Sequence, residues 1–181
     1  SFNKTSQTAV WQGFTLEWYR SLLQDELILV SVRNSLVVGL LTTVVATVVG
    51  TLAALALGRF DFRGKGLTKN LLYLPIIIPE IVLGAALVTF FGATRLRLSL
   101  LTVVIAHVVF SISYVTIVVR ARLSGFDRSL EEAALDLGAR PLATFFRVTL
   151  PLILPGIVSG ALLVFTVSID DYVITSFVAG V

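Results

Sequence analysis

Four runs of apolar residues, at 34–57, 71–91, 100–119 and 156–179, constrain this chain more than any other feature. Each approaches the ~20 residues that a helix needs to cross the hydrocarbon of a bilayer. In that solvent a backbone must satisfy its own N–H and C=O groups, which leaves only helices and closed barrels. No series of about ten alternating residues supports a barrel, so the runs are expected to be helices. Composition agrees: 56% of the residues are apolar, 14% are charged, and mean hydropathy is strongly positive. An ordinary soluble domain is excluded on that balance. The net charge of +3 is then assigned to membrane flanks rather than to nucleic acid. With no cysteine and one histidine, no disulfide framework, thiolate metal site or His-based zinc site is expected. The expected fold class is an all-α membrane protein, a polytopic helical bundle.

Lysine and arginine set the orientation. Arg59, Arg63, Lys65 and Lys69 lie between the first two runs, and Arg120, Arg122, Arg128, Arg140 and Arg147 between the third and fourth; Arg95 and Arg97 alone lie between the second and third. The positive-inside rule places loops 58–70 and 120–154 in the cytoplasm and the N-terminal segment, 1–33, outside. Trp11, Phe14, Trp18 and Tyr19 in that segment are expected to form an interfacial helix or to act as simple surface anchors. An external start without a signal-peptide pattern, and an end inside an apolar run, read as a fragment lacking its first and last spans. Ala46, Gly50, Ala54 and Gly58 recur every four residues, and Gly156 and Gly160 form a GxxxG. Such ladders let helices approach closely in lipid, within one subunit or at a subunit interface.

Between the third and fourth runs lies "EEAALDLGARPLATFFRVTLPLILPGI", residues 131–157. Ser129 is expected to cap a short helix with Glu132 completing a capping box, and Gly138 to end it. Leu130, Ala133, Ala134 and Leu137 would form an apolar stripe, with Arg128, Glu132, Asp136 and Arg140 on the other face. Pro141 suits the first turn of a second helix, while Pro151 and Pro155 are expected to break the chain before the fourth span. A helix lying on lipid usually carries bulky apolar and basic residues. Alanines, a glycine and acids suit docking into a protein groove instead.

Glu132-Ala133-Ala134, three residues, Gly138, nine residues, Val148, one residue and Leu150-Pro151 together resemble the EAA loop of the permease subunits of binding-protein-dependent ABC importers. Val148 departs from that pattern, which more often has isoleucine. The resemblance implies a coupling helix seated in a cleft of a cytoplasmic ATPase, with Glu131, Glu132, Ala133, Ala134, Asp136, Gly138, Ala139, Leu150 and Pro151 at or near the contact. "WQGFTLEWYRSLL", "GRFDFRGKG", "LSGFDRSLEEAALDLGA" and "FTVSIDDYVITSFVAG" extend it toward the second permease of spermidine/putrescine importers. That family implies a type I importer permease fold in a bacterial plasma (inner) membrane. It also implies a second, different permease chain, an ATPase dimer and an external substrate-binding protein. The chain itself is not expected to be an enzyme. Its nearest approach to a phosphate loop, 58–66, has five residues rather than four before Gly64-Lys65 and a glycine where the magnesium-binding Ser/Thr belongs. ATP and magnesium would sit on the partner.

Glu80, His107, Asp170 and Asp171 fall near the middles of their runs, where a carboxylate facing lipid costs at least ~2.5 kcal/mol. They are expected to face protein or a water-filled path. Pro75 and Pro79 should kink the second span and free carbonyls toward such a path. A flexible polycation needs carboxylates or aromatic faces along its route, and Phe110, Phe165 and Tyr172 offer the latter. Glu80 and Asp171 are the acids expected to face it, although capping or bridging at a helix interface would equally explain these acids. His107 is expected to be an interhelical hydrogen-bonding residue. Three other readings stay open: a permease of the same family for another small solute, a gradient-driven transporter using Glu80, His107 and Asp171 as a proton relay, and a structural scaffold.

Overall fold

Every apolar run is helical, and two of the four are broken. The computed structural model describes residues 2–4 and 10–180, grouped in two units, 1–37 and 38–181. Residues 1 and 5–9 of the expected N-terminal segment, and residue 181, lie outside the described residues. Among those described, no strand forms beyond an isolated bridge between Asn3 and Phe14.

In the first unit that bridge is locked by the Trp18 indole, whose N–H donates to the Asn3 carbonyl at 2.8 Å. Helix α1 (Glu17–Leu22) is short and fully exposed. It carries Trp18 and Tyr19, whereas Trp11 and Phe14 precede it, so the four aromatics do not share one helix. Helix α2 (Glu26–Arg59) begins in this unit, well before the expected start at 34. Asp25 explains the early start: its carboxylate accepts the N–H groups of Leu27 (3.0 Å) and Ile28 (3.3 Å).

The second unit is built around one helix. The remaining part of α2 is followed by α3 (Lys65–Ile77), α4 (Glu80–Ala93), α5 (Leu100–Ser124), α6 (Ser129–Asp136), α7 (Pro141–Thr144), a π-helical turn (Phe145–Thr149), α8 (Leu150–Asp170) and α9 (Val173–Val178). Helix α5 has the most buried residues of these elements and packs against α3, α8 and α9. Val115 shows why small residues recur on its neighbours. A Cβ added to Gly50 of α2 would lie 2.6 Å from the Val115 Cβ, and one added to Gly160 of α8 would lie 3.5 Å from the Val115 Cα. Both small-residue ladders therefore serve packing within this chain.

The second expected span, 71–91, is not a kinked helix: α3 and α4 meet at a 110° bend. Proline is the cause. The residue before a proline is driven to extended backbone, and Ile78 (ψ 132°) and Pro79 (ψ 137°) both adopt it. The fourth expected span differs in the other direction. Pro151 and Pro155 do not break the chain, and helical structure from 141 to 170 is continuous. The π turn just before Pro151 widens the backbone where the ring would otherwise strike the preceding turn. Carbonyls near the prolines are met by α5. The Ser113 hydroxyl donates to the Leu72 carbonyl, three residues before Pro75, and Arg122 Nε–H donates to that of Leu152 (2.9 Å), three before Pro155. The break comes later, at Asp171 (ψ 116°), where the sequence has neither glycine nor proline. Among the described residues three helices, or four if the bent pair counts as one span, are long and apolar enough to cross a membrane.

Candidate functional site

The two breaks face one cavity. It encloses about 340 Å³ and is lined by Glu80, Phe110, Tyr114, Asp170, Asp171 and Tyr172, with Pro75 and Leu83 completing the wall toward α3 and α4. Glu80 opens α4 immediately after the proline break, where an acid also favours the positive end of the helix dipole. Asp170 ends α8 and Tyr172 follows in the interruption before α9. Helices α4 and α9 hold the two walls together through Gly84, whose missing side chain leaves room for the Phe177 ring. Five of the six expected path residues thus share the cavity. Phe165 does not; it lies on the side of α8 that packs on Gly39.

The three acids differ in what they touch. Among the described residues, the side chains of Glu80 and Asp170 make no hydrogen bond or ion pair, and both residues are exposed. Asp171 is fully occupied. Its Oδ1 accepts the N–H of Ile174 (3.3 Å), while Oδ2 accepts both the N–H and the hydroxyl of Thr175 (3.0 Å each) and lies 3.2 Å from His107 Nε2. Asp171 borders the cavity as expected, and its carboxylate also has the capping and bridging role that the sequence left open. Its carboxylate borders the cavity but is spent on the first turn of α9. Residues about 100° apart on a helix point to different neighbours; both acids border the cavity, but Asp171 alone also reaches His107 of α5. His107 has the expected interhelical role, with Nδ1 at 2.7 Å from Ser168 Oγ and Nε2 at 3.0 Å from Thr175 Oγ1. Tyr114 is an aromatic that the sequence reading missed. It follows Phe110 by four residues, on the same face of α5, and the two rings meet edge to face at 6.4 Å.

The second set of expected residues surrounds α6. No capping box forms: Arg128 already has helical backbone angles, and Asp127 accepts the Ser129 N–H at 2.9 Å. Asp127 is thus the residue that substitutes for the expected Ser129 cap. Gly138 ends the helix at φ +85°, with Gly138 N–H donating to Leu135 O (2.8 Å) and Ala139 N–H to Ala134 O (3.0 Å). That pair of bonds is a Schellman motif. Adjacent acids then part company. Glu131 turns inward to pair with Arg59 at 2.5 Å and accepts the hydroxyl of Thr149, and Arg128 donates to the Gly58 carbonyl at 3.3 Å. Burial raises the Glu131 pKa, but hydrogen bonds from Thr149 and Arg59, with the charges of Arg59 and Arg128, outweigh it and hold the carboxyl below its usual range. Arg59 and Thr149 were not singled out from sequence, since nothing local marks contacts so distant along the chain. Glu132, Ala133 and Asp136 face outward, Ala134 and Ala139 are half-buried, and Leu150 and Pro151 begin α8. Leu137 is 90% exposed and Leu142 74%. Of the expected stripe, Leu130, Ala133 and Leu137 are exposed among the described residues and Ala134 is half-buried.

Comparison with known proteins fits these two sites. Residues 28–181 match the family model of the binding-protein-dependent transport system inner membrane component. A putrescine transport system permease protein of Escherichia coli (strain K12) is 42% identical over 187 residues, covering 99% of this chain and 66% of the relative. Spermidine/putrescine transport system permease proteins of Haemophilus influenzae (39% over 181 residues, 100% of this chain and 70% of the relative) and E. coli K12 (36% over 180 residues, 99% and 68%) are also similar. The chain spans about two thirds of the length of these curated relatives. That family consists of transport permeases rather than enzymes. The chain belongs to the family of binding-protein-dependent transport system inner membrane components.

Proposed function

We propose that this chain is a transmembrane permease subunit of an ATP-driven importer and that its cargo is a polyamine such as putrescine or spermidine. The names of the similar permeases support the cargo class. The observation that carries the reading is a cavity holding two exposed carboxylates with no partner among the described residues, Glu80 and Asp170, beside the rings of Phe110, Tyr114 and Tyr172. An unpaired acid at that depth is costly unless water or a cation meets it. A flexible polyammonium chain supplies cations, and Tyr172, Phe110 and Tyr114 offer ring faces to its methylene and ammonium groups. Cargo would arrive from an external binding protein and leave as the bundle alternates between outward and inward states.

The power source lies on a partner. An ATPase dimer carrying ATP and magnesium would receive α6 in a cleft, and a second, different permease chain would complete the pathway. The exposed Leu137 and Leu142 and the outward Glu132 and Asp136 support a protein partner for that face. In this reading loops 58–70 and 120–154 are cytoplasmic and the N-terminal segment is external.

Uptake into proteoliposomes by the assembled complex, driven by ATP enclosed in the vesicles with no pH or sodium gradient, tests the proposal. Putrescine or spermidine should be taken up when its binding protein is present. Uptake that requires a gradient, or that favours a neutral or anionic solute, would overturn it. Glu132→Arg serves as the coupling control: among the described residues the Glu132 side chain makes no hydrogen bond or ion pair, so insertion should persist while ATPase association or cargo-stimulated hydrolysis falls.

A further inference from the structure

His107 lies outside the cavity lining, yet it touches both sides of the break that shapes the cavity. It is 1% exposed, on the central helix α5. Its partners are Ser168, in the last turn of α8; Asp171, in the extended link; and Thr175, in the first turn of α9. The proton positions follow from the donor and acceptor inventory. Asp171 only accepts, so the Thr175 hydroxyl gives it the hydrogen, and His107 Nε2–H is shared between Thr175 Oγ1 (3.0 Å) and Asp171 Oδ2 (3.2 Å). Nδ1 is then left to accept from the Ser168 hydroxyl. Every polar atom of the cluster finds a partner in this arrangement.

Nothing in the local sequence requires α8 to end there. Residues 161–179 contain no glycine and no proline, and their apolar character would suit one uninterrupted helix. The break persists because Asp171 takes two N–H groups of α9, and His107 holds that carboxylate from the side. As a result Asp170 and Tyr172 open onto the cavity with uncommitted side chains, while the acid between them, also at the cavity wall, is held by its hydrogen bonds. We infer that His107 is a positioning residue for transport: it fixes the α8–α9 break and thereby aims Asp170 and Tyr172 at the cargo without touching cargo itself. This rests on the reading that the cavity handles a polyammonium substrate.

A double-mutant cycle between His107 and Asp170 tests it in the complete complex, with uptake expressed per assembled complex at saturating binding protein. His107→Leu removes both ring contacts and should lower uptake roughly 10-fold, whereas His107→Gln, which keeps a donor toward Asp171, should stay within roughly threefold of the parent. It should also change the ratio of putrescine to spermidine uptake, which a loss of assembly alone would not move. In an Asp170→Asn background the further effect of His107→Leu should shrink to less than about twofold, because the group being aimed is gone. Full additivity of the two changes, or an unaltered cargo ratio with His107→Leu, would overturn the inference. If His107→Leu fails to assemble, Thr175→Val, which deletes the hydroxyl between ring and carboxylate, enters the same cycle and is judged by the same outcomes. Normal uptake by Asp170→Asn would count against the cargo reading itself. Impaired uptake by Asp170→Asn with no effect of His107→Leu or Thr175→Val would count against His107 alone.

Discussion

The α3–α4 break and the α8–α9 break line the same cavity, yet they arise by opposite means. The first starts from covalent structure: Pro79 forces Ile78 into extended backbone, and the chain turns through 110° there. The second is made by side chains, with Asp171 capping α9 and His107 securing the carboxylate from another helix. Each break delivers one uncommitted acid, Glu80 or Asp170, to the cavity. A proline break is local and robust. A capped break depends on groups brought from far along the chain, so it can be lost by a change at a distance.

The largest expected effect treats the breaks as equivalent. Glu80→Gln combined with Asp170→Asn removes one cation contact from each side and should lower polyamine uptake per assembled complex by about 100-fold, at roughly tenfold for each charge-assisted contact. Transport at the parental rate would show that the breaks do not serve a common cation site. Next, the breaks should differ in stability. Asp171→Ala leaves α9 N–H groups and the His107 ring without their acceptor, a loss of about 1–3 kcal/mol. Pro79→Ala acts mainly through the unfolded chain and should cost less than about 1 kcal/mol. Thermal unfolding of the purified complex compares them, and equal losses would erase the distinction.

A third chain reversal, at Gly138, provides a glycine-made case. Its φ of +85° is strained for any β-branched residue, whereas space is open around the added Cβ. Gly138→Val should cost about 1 kcal/mol and weaken ATPase coupling, while Gly138→Asn should cost only a few tenths. Identical ATPase stimulation by both variants would mean that the backbone there is unimportant. The smallest effect concerns Glu131, whose carboxyl is held low by Thr149 and Arg59 after burial has opposed it. The lowered pKa means its contribution is fully present above the ordinary glutamate value, about 4.3, and disappears as pH falls through the folded value. Unfolding measured between neutral and acidic pH should therefore be less pH-dependent in Glu131→Gln than in the parent.

Helix content, membrane class and the Gly138 terminus were legible because each follows from local properties: apolar length, charge at the flanks, and a backbone angle that glycine alone adopts freely. The EAA spacing carried the family resemblance because it fixes several residues at set intervals, Glu132, Ala133, Ala134, Gly138, Leu150 and Pro151. Sequence also marked Pro79, though a proline states only that a helix is disturbed; the 110° turn depended on the packing of α4 against α9. It misled at Pro151 and Pro155, where a π turn and Arg122 of α5 let the helix continue. Glu131 and Glu132, and likewise Asp170 and Asp171, are chemically alike neighbours that sequence cannot rank. Tertiary structure separated them by supplying Arg59 and Thr149 to one acid of the first pair and His107 and Thr175 to one of the second. The reason is physical. Which carboxylate is satisfied depends on donors delivered by other helices, and those donors have no fixed distance from it along the chain.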